Sequence, residues 1–138
     1  MDFLLSGGCL CGAVRYECTA EPVVAAHCQC RECQKDTGTG HSSHVGVPAE
    51  ALRLTGELTY FETMAQSGNI ATRGFCPTCG SPIVFKTTGY REAVFLTACS
   101  LDDPTLFKPT LVVFAASAQP WDLVDPDLPQ FPAEPIPW

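Results

Sequence analysis

Positive charge is scarce in this chain: 8 Lys and Arg stand against 15 Asp and Glu among 138 residues, for a formal charge of −7. A surface of that sign repels polyanions before a local contact forms, which excludes nucleic-acid binding driven by phosphate neutralisation. Long apolar runs are also missing. The best candidate, TLVVFAASA at 110–118, is far short of the ~20 residues a membrane helix needs and reads as a strand, so neither a nucleic acid nor a membrane is an expected partner. The opening stretch MDFLLSGGCLCG begins with an acid and has no basic n-region, so a secretory signal is not expected either. The expectation is a cytoplasmic, reducing environment. There is no internal repeat and no βαβ alternation, and 138 residues with 46% hydrophobic content make one core, hence a single domain over 1–138.

Cysteine, by contrast, is abundant. Seven of the nine cysteines fall into three tight groups: Cys9 and Cys11 as CxC, Cys28, Cys30 and Cys33 as CxCxxC, and Cys76 and Cys79 as CxxC. In a reducing compartment such spacing points to metal ligation or catalysis before disulfides. In GFCPTCGSPIVF, Pro77 restricts the turn and Gly80 permits a positive φ past the second ligand, as in a zinc knuckle. Two plus two thiolates complete a closed tetrahedral site, so Cys76 and Cys79 are expected to pair with Cys9 and Cys11. A redox CxxC or a different sharing of ligands is the alternative.

The segment HCQCRECQKDTGTGH then leaves Cys28, Cys30 and Cys33 to grip a second metal from one side, an open arrangement typical of catalytic sites. The competing possibility is a fourth ligand from Cys18, Cys99, His27, His41 or His44, which would make a second staple. Alternation along an extended strand turns His27 away from Cys28 and puts His41 and His44 on opposite faces, so at most one of the latter pair enters a pocket. A lone cysteine in an apolar pattern such as VFLTAC, here Cys99, is expected simply to be buried.

Between the clusters the chain reads as short strands: GAVRYECT, PVVAAHC, HSSHVGV, LTYFET, NIATRGF, PIVFKT, AVFLTAC and TLVVFAAS. Only RECQKD and PAEAL have helical character, so the fold class is all-β. Residues 120–138 hold six of the twelve prolines and form an extended arm that Trp121 and Trp138 are expected to pin. Asp102 and Asp103 in SLDDP are turn residues with no assigned chemistry.

SGGCLCGAVRYE, HCQCRECQKDTGT, RGFCPTCGSPIVF and SLDDPTLFKP…PWD, in that order, resemble the glutathione-dependent formaldehyde-activating enzyme family, whose domain is shared with centromere protein V. The resemblance implies a β-tent of short antiparallel strands, structural zinc on Cys9, Cys11, Cys76 and Cys79, and a catalytic zinc on Cys28, Cys30 and Cys33. It also implies a carbon–sulfur lyase-type reaction: glutathione and formaldehyde, or a related thiol and small aldehyde, joining or separating as S-hydroxymethylglutathione or its analogue. Arg31 and Lys35, then Arg73 and Arg91, are the cations available to an anionic thiol, and His44 is the first candidate for proton transfer. A zinc-stapled binding module without catalysis and a thiol–disulfide sensor built on Cys28, Cys30 and Cys33 are the competing functions.

Overall fold

The computed structural model describes residues 4–65 and 67–134. Ten strands appear in chain order: β1 (Leu5–Gly8), β2 (Arg15–Cys18), β3 (Val24–Cys28), β4 (Ser42–Pro48), β5 (Leu52–Thr55), β6 (Thr59–Met64), β7 (Ile70–Phe75), β8 (Pro82–Thr87), β9 (Ala93–Thr97) and β10 (Leu111–Val113). One α-helix, α1 (Arg31–Thr37), and four 3₁₀ turns complete the described elements. The strands form a three-stranded sheet in the order β1-β2-β5 and a seven-stranded sheet in the order β10-β3-β4-β9-β8-β7-β6. All the anticipated strands form, and β1 and β5 are additional. Both are only four residues long, and β1 (LSGG) is too glycine-rich to carry a strand pattern.

The sheets are antiparallel apart from β10, which runs parallel to β3. The proline-rich arm continues that edge. Val112 N–H donates to Pro129 O at 2.9 Å and Phe131 N–H to Val112 O at 2.8 Å, so residues 129–131 pair with β10, with Pro129 at the first paired position, where it only has to accept. Backbone pairing, not tryptophan, fixes the arm: Trp121 is 63% exposed, and Trp138 lies outside the described residues.

Alternation along the central strands divides two environments. Val45 and Val47 of β4, Val84 of β8 and Val94 and Leu96 of β9 are buried together with Leu5, Val14 and Tyr16 from the small-sheet region, forming the core between the sheets. Cys18 is part of that core and behaves as a small hydrophobe. Cys99 departs from expectation by being exposed: β9 ends at Thr97, and the 3₁₀ turn Ala98–Ser100 breaks the alternation that would have turned it inward. The turn at SLDDP forms as anticipated, with Asp103 accepting from Thr105 N–H at 3.1 Å, while Asp102 pairs with Arg15 at 2.6 Å.

Next to Trp121, Asp122 ties the arm to the body. Its carboxylate accepts from Gln29 Nε2 at 3.0 Å and contacts His41 Nδ1 at 2.8 Å, with only 7% of its side chain exposed. Burial pushes its carboxyl up, but the bonds from Gln29 and His41 outweigh this and hold it below the usual range. A depressed folded-state pKa means the contribution is complete above about pH 4 and is lost as the pH falls through the lowered value. Asp122→Ala should therefore cost about 2 kcal/mol at pH 7, because Gln29 loses its partner in a buried position. A lowered urea midpoint at unchanged slope is the expected readout.

Candidate metal centres and cavity

The four sulfurs of Cys9, Cys11, Cys76 and Cys79 lie within 4.8 Å of one another, as do the three of Cys28, Cys30 and Cys33. Four thiolates about 2.3 Å from a common ion in tetrahedral array stand about 3.8 Å apart. The Cys9–Cys11 and Cys11–Cys76 sulfur separations, 3.6 and 3.8 Å, agree with that spacing. None of the nine cysteines is in a disulfide.

The four-thiol group forms where two hairpins meet. Cys9 and Cys11 lie in the β1–β2 connection, and Cys76 and Cys79 in the turn between β7 and β8. Thr78 and Cys79 direct their N–H groups at Cys76 Sγ (3.4 and 3.5 Å), and Val14 N–H points at Cys9 Sγ (3.2 Å). Burial pushes the Cys9 thiol up, but the bonds from Val14, Cys11 and Cys76 outweigh this and hold it below the usual range. Gly80 then takes φ 78°, the left-handed conformation that lets the chain leave the knuckle into β8. Ser81 serves both hairpins: its hydroxyl contacts Cys79 Sγ at 3.2 Å and accepts from Leu10 N–H at 3.0 Å. The Ser81 hydrogen bonds are the main reason the Cys79 thiol is pushed down to about 5. This group thus joins the small sheet to the large one.

The three-thiol group is built differently. Cys28 ends β3, Cys30 is the N-cap of α1, and Cys33 lies in its first turn, so N-cap and N3 side chains converge on the same side as the strand end. Cys30 Sγ accepts from Cys33 N–H at 3.3 Å. Hydrogen bonds from Cys28 and Cys33 push the Cys30 thiol down to about 3, and the same sharing drives Cys28 well up. Gln34 anchors the helix by donating to Gln29 O at 2.8 Å and to Ser117 O at 3.0 Å. Among the described residues no fourth His, Cys, Asp or Glu ligand atom joins this cluster. His27 instead meets Ser43 Oγ at 2.9 Å and stacks edge-on with His41, on the face away from Cys28, as strand alternation requires.

All three thiols line a cavity of about 240 Å³, and none of the four-thiol group does. Its floor is one face of the large sheet. Arg73, Phe85 and Phe95 are consecutive cross-strand partners on β7, β8 and β9, and Gly46 of β4 faces Phe95. A Cβ at Gly46 would come within 3.0 Å of the Phe95 ring and 2.5 Å of Val24, so glycine keeps this aromatic wall in place. His44, two residues before Gly46, reaches the same cavity. Burial lowers its pKa, leaving a neutral imidazole whose Nδ1 is 3.2 Å from Ser42 Oγ.

Of the cations singled out in the sequence, Arg31 and Arg73 line the cavity, while Lys35 and Arg91 are exposed outside it. Arg73 is 13% exposed and already engaged: its guanidinium donates to Cys33 Sγ at 3.8 Å, pairs with Glu32 at 3.9 Å and Asp36 at 3.8 Å, and lies 5.1 Å from the Phe85 ring centre. The sequence reading missed Met64, Phe85, Phe95, Phe114 and Glu134 as cavity residues. Phe85 and Phe95 carry a readable sign, since each alternates with core valine or leucine and so faces the opposite side. Phe114 has none, because its position depends on a left-handed backbone at φ 56°.

A mostly β scaffold thus carries a four-thiol and a three-thiol group that could each hold a metal ion, the three-thiol one facing a cavity. Residues 4–117 match the family model for glutathione-dependent formaldehyde-activating enzymes, and the chain belongs to that family. It also superposes on the crystal structure of a Rhodobacter sphaeroides protein, a Northeast Structural Genomics target. The TM-score is 0.58 at 22% identity, over 91% of this chain and 98% of that one, a likeness of fold. No curated protein matches. No described helix is long and apolar enough to cross a membrane.

Proposed function

We propose that this chain is a zinc enzyme of the carbon–sulfur lyase type, joining a thiol to a small aldehyde or reversing that addition, with glutathione and formaldehyde as the pair the family name supplies. The observation that carries this reading is the contrast between the two thiolate groups: the three-ligand one opens on the cavity. Cys9, Cys11, Cys76 and Cys79 would hold a structural zinc, and Cys28, Cys30 and Cys33 a second one. All-thiolate donor sets suit zinc among the common divalent ions. With zinc on those three thiolates the site would keep one net negative charge, and the ion would serve to lower the pKa of an incoming thiol more than to polarise a carbonyl.

The chain's own groups do the rest. Cavity walls bring sulfur and carbonyl carbon together, replacing a bimolecular encounter with a positioned one. In the forward direction a sulfur–carbon bond forms, the carbonyl π pair moves to oxygen, and the proton that leaves the thiol ends on the new hydroxyl. His44, which reaches the cavity with Nδ1 3.2 Å from Ser42 Oγ, is the side chain that would take up that proton and return it. Burial disfavours the Arg73 guanidinium charge, but Cys33, Asp36 and Glu32 beside it outweigh this and raise its pKa, so Arg73 stays a cation 3.8 Å from Cys33 Sγ.

NMR exchange between formaldehyde, glutathione and their adduct tests the reading directly. The zinc-loaded protein should raise the exchange rate at least about a hundredfold over buffer, a conservative figure for positioning alone. A rate equal to buffer for glutathione and for other thiols would overturn the reading and leave the binding-module and thiol–disulfide-sensor alternatives.

A further inference from the structure

Three features of the cavity disagree with a tripeptide bearing two carboxylates. Charge is the first. Among the described residues that line it, the cations are Arg31 and Arg73 and the carboxylates Glu32 and Glu134, so the fixed charges cancel before the thiolates are counted. Arg73 is shared by Cys33, Glu32 and Asp36, and the Arg31 guanidinium donates to Gln34 Oε1. Three thiolates around a divalent ion add one more negative charge. A glutathione thiolate, itself a net dianion, would enter a site already negative, and in a poorly hydrated pocket like charges are screened weakly.

The second feature is the lining. Met64, Phe85, Phe95, Val113 and Phe114 supply apolar wall. At about 240 Å³ the cavity is below the roughly 300 Å³ at which pockets for drug-sized ligands begin. The third is Phe114, the one described non-glycine residue at positive φ. It is held there by its N–H on Ala133 O (3.2 Å) and by Ser117 N–H on its carbonyl (3.0 Å). A large side chain in the left-handed region is unfavourable, and such strain persists where the surroundings impose it. Here it delivers an aromatic ring to the cavity.

We propose that this cavity selects a neutral, apolar thiol, an aromatic one fitting best, over a doubly carboxylated thiol such as glutathione. The proposal rests on the thiol–aldehyde reading and narrows its substrate class. An aryl group replaces water against Phe85, Phe95 and Phe114, whereas glutathione would bring two carboxylates to a lining in which Glu32 and Glu134 already offset the two arginines.

Isothermal titration of the zinc-loaded full chain, without aldehyde, separates the possibilities. Benzyl mercaptan should bind at least about tenfold more tightly than glutathione, equivalent to 1.4 kcal/mol. Phe114→Gly, which accepts φ 56° readily, should reduce that preference to about threefold or less while zinc content and thermal midpoint are maintained. Should that variant fold poorly, Met64→Gln at the 75% exposed rim should reduce the preference in the same direction. Glutathione binding as tight as benzyl mercaptan would overturn the selectivity and leave thiol chemistry standing. Binding of neither thiol would overturn both.

Discussion

Cys79→Ser should leave no folded protein: far-ultraviolet circular dichroism and amide dispersion collapse, and both metals are absent from what is recovered. The reason is where this group sits. Cys9 and Cys11 come from the three-stranded sheet's first hairpin, and Cys76 and Cys79 from the large sheet, so an ion shared by all four would close the two layers over Leu5, Val14 and Tyr16. Binding free energy at a structural thiolate site is about 10–16 kcal/mol at pH 7, against a total of about 5–15 kcal/mol for a typical domain. A serine oxygen is a poor zinc ligand because its hydroxyl does not ionise near neutral pH. The knuckle would also lose the contact between Ser81 and the Cys79 sulfur, which links Leu10 of one hairpin to the turn of the other. Chelation by a strong zinc ligand should reproduce the collapse in the unmutated chain.

Much of this architecture is legible in the sequence because its signals are local. CxC, CxCxxC and CxxC state their ligands by spacing, and the strand patterns at PVVAAHC, HSSHVGV and AVFLTAC are set by alternation of side chains. Alternation also turns His27 away from Cys28 and separates His41 from His44. What the sequence conceals is nonlocal. Arg73 looks like any exposed basic residue in NIATRGF until sheet register places it between Phe85 and the acids of α1. The arm's hold on β10 comes from backbone hydrogen bonds at Pro129 and Phe131, to which side-chain identity is nearly blind. Trp121 therefore misleads: a large aromatic among prolines suggests an anchor, while the neighbouring Asp122 does the anchoring through Gln29 and His41. Lys35 misleads in the same way, since its nearness to Cys33 in sequence becomes the outward side of a helix in space.

Cys30→Ser should give the opposite result from Cys79→Ser: a folded chain, about one zinc per molecule, and thiol–aldehyde exchange reduced to the rate in buffer. Cys30 is the N-cap of α1, accepting from Cys33 N–H, and serine is a preferred residue at that position, so the helix start is retained. The core between the sheets contains none of the three thiols, which leaves the global fold without a reason to fail. The metal does have a reason to leave. Loss of a partner that only orients a ligand already costs about 10–100-fold in metal affinity or activity, so removal of one of three thiolates should cost more. Metal analysis and a thermal melt measured together give the decisive comparison. If Cys30→Ser unfolds the chain as completely as Cys79→Ser does, the three-thiol group is a second staple and the catalytic reading is lost. If it keeps both zincs and its rate, the group neither holds the metal through Cys30 nor performs chemistry there. A folded protein with one metal and no exchange is the combination that only an open catalytic site produces.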